Sequence, residues 1–293
     1  MRGQRIRRIG VLGAALALVL TACGGDDEGG AVAKVEEKPA FAAGSTMAKL
    51  NADKSIKIGV KYDQPNVGFK KPGTDTPEGF DIEIAKIIAA KLGIEPKNIK
   101  WTETISKNRE PYIKGGNVDI VVASYSITDK RRAEVGQAGP YYVTGQQLLV
   151  RKDDASINGP EQLKGKKVCS VTGSTSIATV EEKYGATPVP FGTYSECVQQ
   201  LLSNAVDAVT TDGAILLGYA ADNADKLKVV GQPFSEERYG IGYKKGDQAF
   251  CEFLNKTLQD AIANGEWKKA WEKTLSDSGA KAPEPPTVDP CES

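Results

Sequence analysis

The chain has 293 residues, 40% of them hydrophobic and 26% charged, with 38 basic and 38 acidic side chains, five Cys and no His. No basic excess is available to meet a phosphate backbone, which argues against nucleic acid as a partner, and the lack of His removes the commonest acid–base side chain. Roughly 250 residues able to fold exceed what one core serves comfortably, so two domains or lobes are expected.

Met1 to Arg8 carries Arg2, Arg5, Arg7 and Arg8 with no acid, and an apolar run follows from Ile9 to Leu20. This is the pattern of a secretory signal peptide, assigned to residues 1–22. About twelve apolar residues can start translocation, whereas a bilayer span takes about 20. Leu20-Thr21-Ala22-Cys23, followed by Gly24-Gly25, resembles the bacterial lipoprotein box. That resemblance implies cleavage before Cys23, a diacylglyceryl thioether on its sulfur and N-acylation, which would place the protein on the outer face of the cell membrane. Simple secretion is the plainer alternative. Two or more acyl chains anchor where one does not, because each buried methylene adds about 0.8 kcal/mol. Loss of residues 1–22 leaves 34 basic against 38 acidic side chains, a net charge of −4. Gly24 to Lys38 is Gly-rich, then acidic, then mixed in charge, so residues 23–44 are expected to form a lipidated flexible tether.

Beyond the tether, short β-rich runs alternate with amphipathic helices, the pattern of α/β layers. Ile56 to Val60 reads as a strand. Gly79 to Leu92 reads as a helix with Phe80, Ile84, Ile87, Ile88 and the stem of Lys91 on one face. Further strands are predicted at 99–102, 118–123, 147–150, 167–171, 208–211, 228–230 and 240–243, with helices between most of them. Two helices, 249–263 and 266–275, come last, and four prolines between Gly279 and Pro290 predict an extended tail. Asn117-Val118-Asp119 and Asn204-Ala205-Val206-Asp207 each place a small turn and an Asp before an apolar strand. The echo suits two lobes of similar topology whose strand ends and helix starts share a cleft.

Apart from Cys23, the chain holds Cys169, Cys197, Cys251 and Cys291, an even number in an oxidising compartment, so disulfides are expected in one of three pairings. No C-x-x-C spacing and no His offer a metal site; neither metal nor other cofactor is expected. Immediately after the apolar run 118–123, Ser124 to Arg131 supplies hydroxyls, backbone amides and a guanidinium. That set suits a carboxylate, the plain alternative being a polar turn with Arg131 in water.

Six motifs occur in order: Gly79-Phe80-Asp81-Ile82; Ser124 to Arg131 with Gly139-Pro140-Tyr141-Tyr142; Leu163-Lys164-Gly165-Lys166-Lys167-Val168; Gly173-Ser174-Thr175; Thr211-Asp212-Gly213; and Tyr239-Gly240-Ile241-Gly242. On these the chain resembles the extracellular solute-binding proteins of family 3, the amino-acid receptors of ABC importers, and among them the actinobacterial glutamate-binding branch. The resemblance implies a two-lobed, periplasmic-binding-protein-like (type II) α/β fold with two crossover strands and a ligand cleft between lobes. Lobe 1 would comprise 45–147 and 239–293, and lobe 2 would comprise 148–238. Cys169–Cys197 and Cys251–Cys291 are then the preferred disulfides, since each pair falls within one lobe.

The same resemblance implies that Arg131 and Ser126 take the ligand α-carboxylate and that Ser124 offers its carbonyl to the α-ammonium. Ser174 and Thr175 would add helix-start amides facing an anion, and Asp212 would pair with the ammonium. Lys61 and Arg109 match positions that contact the distal carboxylate in acidic-amino-acid binders. Lys61, Arg109, Arg131 and Asp212 carry +2 together, which suits glutamate or aspartate. A neutral ligand leaves a buried cation poorly paired, at roughly 3–5 kcal/mol. The implied protein is a monomer that closes on its ligand and delivers it to an ABC permease in the membrane. An amino-acid sensor, or a dehydratase on the same fold, are the alternatives.

Overall fold

The structure is a computed structural model that describes residues 33–276 and 283–291. The expected signal peptide and Cys23 lie outside the described residues. In the first lobe a five-stranded sheet runs in the order Ile99–Glu103, Ile56–Val60, Ile120–Val121, Glu237–Tyr243, Gly136–Thr144. The first three strands are parallel to one another and the fourth is antiparallel to both neighbours. The second lobe repeats this plan with Thr187–Phe191, Lys167–Val171, Ala208–Asp212, Gln146–Arg151 and Leu227–Val230. In each sheet the fourth strand arrives from the other lobe. Gly145 and residues 231–236 form the two crossings, which run side by side: a Cβ on Gly145 would meet Ser235 O at 2.4 Å and Pro233 Cβ at 2.7 Å.

The sequence echo has a structural counterpart. Asp119 Oδ2 accepts from Lys57 N at 2.7 Å while its own amide donates to Lys57 O at 2.8 Å. Asp207 and Lys167 make the same pair of bonds with the same distances. Each Asp thus sets the register of the parallel strand beside it. Loss of a charge-assisted bond to a backbone amide costs roughly 1.5–3 kcal/mol; we expect Asp119→Ala and Asp207→Ala each to lower unfolding free energy by about that amount, measured by urea denaturation.

Four strands were not anticipated: the two-residue pair Asp63–Gln64 and Gly68–Phe69, and Gly136–Thr144 and Thr187–Phe191. The last two are edges of the five-stranded sheets, where Pro140, Pro188 and Pro190 remove amides that no neighbour needs. Conversely, within the predicted strand 118–123 only Ile120–Val121 is regular strand, flanked by the bonds of Asp119 N to Lys57 O and Val122 N to Gly59 O. The helix Phe80–Lys91 buries Asp81 and Glu83 along with its apolar residues, so it is enclosed on more than the one predicted face. Residues 33–44 differ from the tether expected of them. Glu36 N donates to Ala90 O at 2.9 Å, and Phe41 meets Phe253 edge-on at 5.7 Å. The apolar Ala33 and Phe41 give this stretch a surface to bury. Disulfides join Cys169 to Cys197 and Cys251 to Cys291, the second pinning the tail to the helix Gln248–Ala263.

Candidate functional site

Lys61 directly follows the first strand and is 2% exposed. Its Nζ donates to Ser106 Oγ at 2.8 Å and lies within 4 Å of no carboxylate among the described residues. Burial, with Arg109 nearby, lowers the Lys61 ammonium to about 7. Arg109 opens the helix Arg109–Lys114 and is also 2% exposed. Its Nε donates to Ser106 O, and its Nη1 donates to Ala123 O and Ser124 O at 3.2 and 3.1 Å. Burial and then Arg131 bring Arg109 down to about 10. Thr128 caps the single turn Asp129–Arg132, which presents Arg131. Arg131 Nη1 donates to Ser126 O at 2.6 Å, and its Nε lies 3.4 Å from Glu110 Oε1. Both guanidiniums stand over the ring of Tyr125, at 4.5 and 4.9 Å. Ser124 adopts a left-handed φ of 42°, held by its amide donating to Asp81 Oδ2 at 2.7 Å.

From the second lobe, Gly173 and Ser174 lead into the helix Thr175–Tyr184. Gly173 has φ +85°, and a Cβ there would sit 2.9 Å from Lys107 Cα, so this turn admits only glycine where the lobes touch. Its carbonyl accepts from Arg109 Nη2 at 3.1 Å and from Arg131 Nη2 at 3.0 Å. Two cations of one lobe thereby grip one carbonyl of the other. Asp212 ends its strand at the N-cap position of the helix Gly213–Asp222 but makes no capping bond. Oδ2 instead accepts from Tyr239 OH at 2.5 Å, and buried Oδ1 has no hydrogen-bond partner among the described residues. Burial and then Glu237 raise the Asp212 carboxyl to about 7. On the far side of the cleft, Asp63 Oδ2 accepts from Tyr194 N at 2.7 Å and Asp63 O accepts from Tyr219 OH.

A cavity of about 10 Å³ lies between these groups. Of the expected ligand residues, Arg109, Ser124, Ser126, Arg131, Ser174, Thr175 and Asp212 line it, while Lys61 reaches it through Ser106. Lys61 and Arg109 are both buried, and Glu110 pairs with Tyr125 OH and Arg131. Three of these residues also have partners within the protein. The Ser124 carbonyl faces Arg109; the Ser174 hydroxyl caps its own helix through Ile177 N at 3.2 Å; and the Thr175 hydroxyl donates across the cleft to Glu237 at 3.0 Å. The four-residue charge count also omits Asp81, Glu110 and Glu237, although each of these is already hydrogen-bonded within the protein. Sequence reasoning missed Ser106, Tyr194 and Tyr239 as well. Ser106 stands three residues before Arg109 across a helix start, a spacing that could have marked it; nothing in the sequence distinguishes Tyr194.

The cleft sits where both sheets direct strand ends and helix starts, and the family model for bacterial extracellular solute-binding proteins, family 3, matches residues 56–277. The chain belongs to this family. It is a solute-binding protein and not an enzyme. The ABC transporter glutamine-binding protein GlnH of Bacillus subtilis is 36% identical over 266 residues, covering 90% of this chain and 94% of that protein. The glutamate-binding protein GluB of Corynebacterium glutamicum is 36% identical over 285 residues, covering 92% and 91%. Among solved structures, an ancestral arginine-binding protein bound to glutamine superposes with a TM-score of 0.71 at 36% identity, covering 76% of this chain and 98% of that one. No helix among the described residues is long and apolar enough to cross a membrane.

Proposed function

We propose that the protein captures an amino acid with an acidic side chain, glutamate or aspartate, and hands it to an ABC permease while held to the outer face of the membrane by a lipid on Cys23. The reading rests on one arrangement: three cationic side chains of the first lobe converge on a space whose opposite wall carries the unpaired Oδ1 of Asp212. A buried acceptor of this kind calls for a cation, and the α-ammonium of an amino acid supplies one. Arg131 and Ser126 would take the α-carboxylate, and Lys61, Ser106 and Arg109 the distal one. The relatives GluB, a glutamate-binding protein, and GlnH, a glutamine-binding protein, support this reading.

Calorimetric titration with the twenty amino acids tests the reading; heat with glutamate or aspartate supports it, and silence with all twenty overturns it. The side-chain end has its own check. Lys61→Met is expected to weaken glutamate at least tenfold more than glutamine, because only the acid needs the ammonium, and removing one partner of a buried charge pair costs roughly 3 kcal/mol. Equal losses would assign Lys61 to packing. Incorporation of a fatty-acid probe by wild type but not by Cys23→Ala is expected for the anchor.

A further inference from the structure

The tail 283–291 lies beyond the residues matched by the family, yet it is fastened directly behind the cleft. Asp289 is the fastening point. Its amide donates to Gly139 O at 2.8 Å and its carbonyl accepts from Asn255 Nδ2 at 2.8 Å, while Cys291, two residues on, is bonded to Cys251. Its carboxylate forks: Oδ1 accepts from Arg238 Nη2 at 2.5 Å and Oδ2 from Arg132 Nη2 at 3.3 Å. Both arginines are chain neighbours of cleft residues. Arg132 follows Arg131 on the one-turn helix Asp129–Arg132. Arg238 stands between Glu237, which accepts from Thr175 across the cleft, and Tyr239, which donates to Asp212. Because strand side chains alternate, Arg238 points away from the face that Glu237 and Tyr239 share. Its carbonyl also accepts from Ile127 N at 2.7 Å, tying down the loop that carries Ser126.

We infer that Asp289 is a positioning residue for the ligand site, clamping Arg132 and Arg238 from behind so that Arg131, Glu237 and Tyr239 hold their directions in the cleft. Removing that carboxylate takes one shared acceptor from both guanidiniums. The single turn carrying Arg131 and the strand carrying Tyr239 then lose a common tether. The inference rests on the proposed amino-acid site, and its test has an arm that does not.

In the full-length protein, Asp289→Ala is expected to bind the amino acid that wild type binds about tenfold more weakly, a typical effect for a residue acting through its neighbours. Asp289→Glu is expected to recover affinity to within about threefold. Hydrogen exchange of the ligand-free variant should quicken across residues 128–136 and 237–240 as well as in the tail. An Asp289→Ala protein with wild-type affinity, whose faster exchange is confined to 283–291, would reduce Asp289 to a tail anchor and overturn the inference. If the Ala variant does not fold, Asp289→Asn, which keeps the backbone bonds and the shape, is judged by the same two readouts. A wild type that binds none of the twenty amino acids defeats the proposed function, and the exchange arm still decides the role of Asp289.

Discussion

Arg131→Ala is expected to abolish measurable amino-acid binding, raising Kd at least a thousandfold. In the proposed complex this guanidinium carries the α-carboxylate, the one group that every amino acid presents. It is 7% exposed, so the carboxylate would be left in a space from which water is largely excluded. Removing one partner of a buried, hydrogen-bonded charge pair costs roughly 3–5 kcal/mol. A second loss compounds the first, since Arg131 Nη2 also holds Gly173 O at 3.0 Å from the opposite lobe, and that contact belongs to the closed arrangement. Ligand favours closure only as far as it binds the closed form better. Arg131→Lys is expected to rescue little, because an ammonium cannot bond Ser126 O, Gly173 O and a carboxylate in one plane. The measurements are a calorimetric Kd and the ligand-induced rise in melting temperature, which should vanish. A Kd within threefold of wild type would show that the carboxylate is held elsewhere.

Much of this architecture is legible in the chain because the relevant signals are local. Period-two and helical runs mark most strands and helices, and the two Asp turns at 119 and 207 announce equivalent lobes through equivalent backbone bonds. What escaped reading depends on contacts distant in sequence. The prolines of 136–144 and 187–191 argue against strands unless those segments are known to be edges, and edge position is a property of the whole sheet. Asp81 reads as one residue of a helix start; only the fold brings it beneath Ser124 and Tyr141. Asp212 shows the opposite case. Its place at a strand end before a helix suits a cap, yet it makes no capping bond: Tyr239, 27 residues later, holds one oxygen, and the other has no partner among the described residues. A charge count from four residues likewise missed Glu237, whose carboxylate reaches the cleft only through a crossing between lobes.

Asp212→Asn should separate what the site does for the ligand from what it costs the fold. For the ligand, Asn offers no charge to the α-ammonium, and the expected loss is again roughly 3–5 kcal/mol, or a hundred- to several-thousandfold in Kd. For the fold the sign reverses. Burial and Glu237 raise the Asp212 carboxyl from 3.8 to about 7, so the folded state holds this proton more tightly than the unfolded chain. Its stabilising effect is complete below pH 3.8 and lost as pH climbs through 7; above that, the buried charge costs on the order of 4 kcal/mol. Asn can keep the Tyr239 bond without the charge. The ligand-free variant is therefore expected to unfold at higher urea than wild type at pH 8, by roughly 2–4 kcal/mol, and to lose that advantage at pH 4. Ligand binding should follow the same ionisation. Below pH 7 the free protein must give up the Asp212 proton before it can pair the ammonium, so wild-type Kd for a neutral-side-chain ligand such as glutamine should rise by up to tenfold per pH unit. Glutamate should add a second limb above pH 7, where Lys61 loses its charge, and Asp212→Asn should erase the acid limb alone. A wild-type Kd that is flat from pH 5 to 8 would mean that Asp212 does not receive the ammonium.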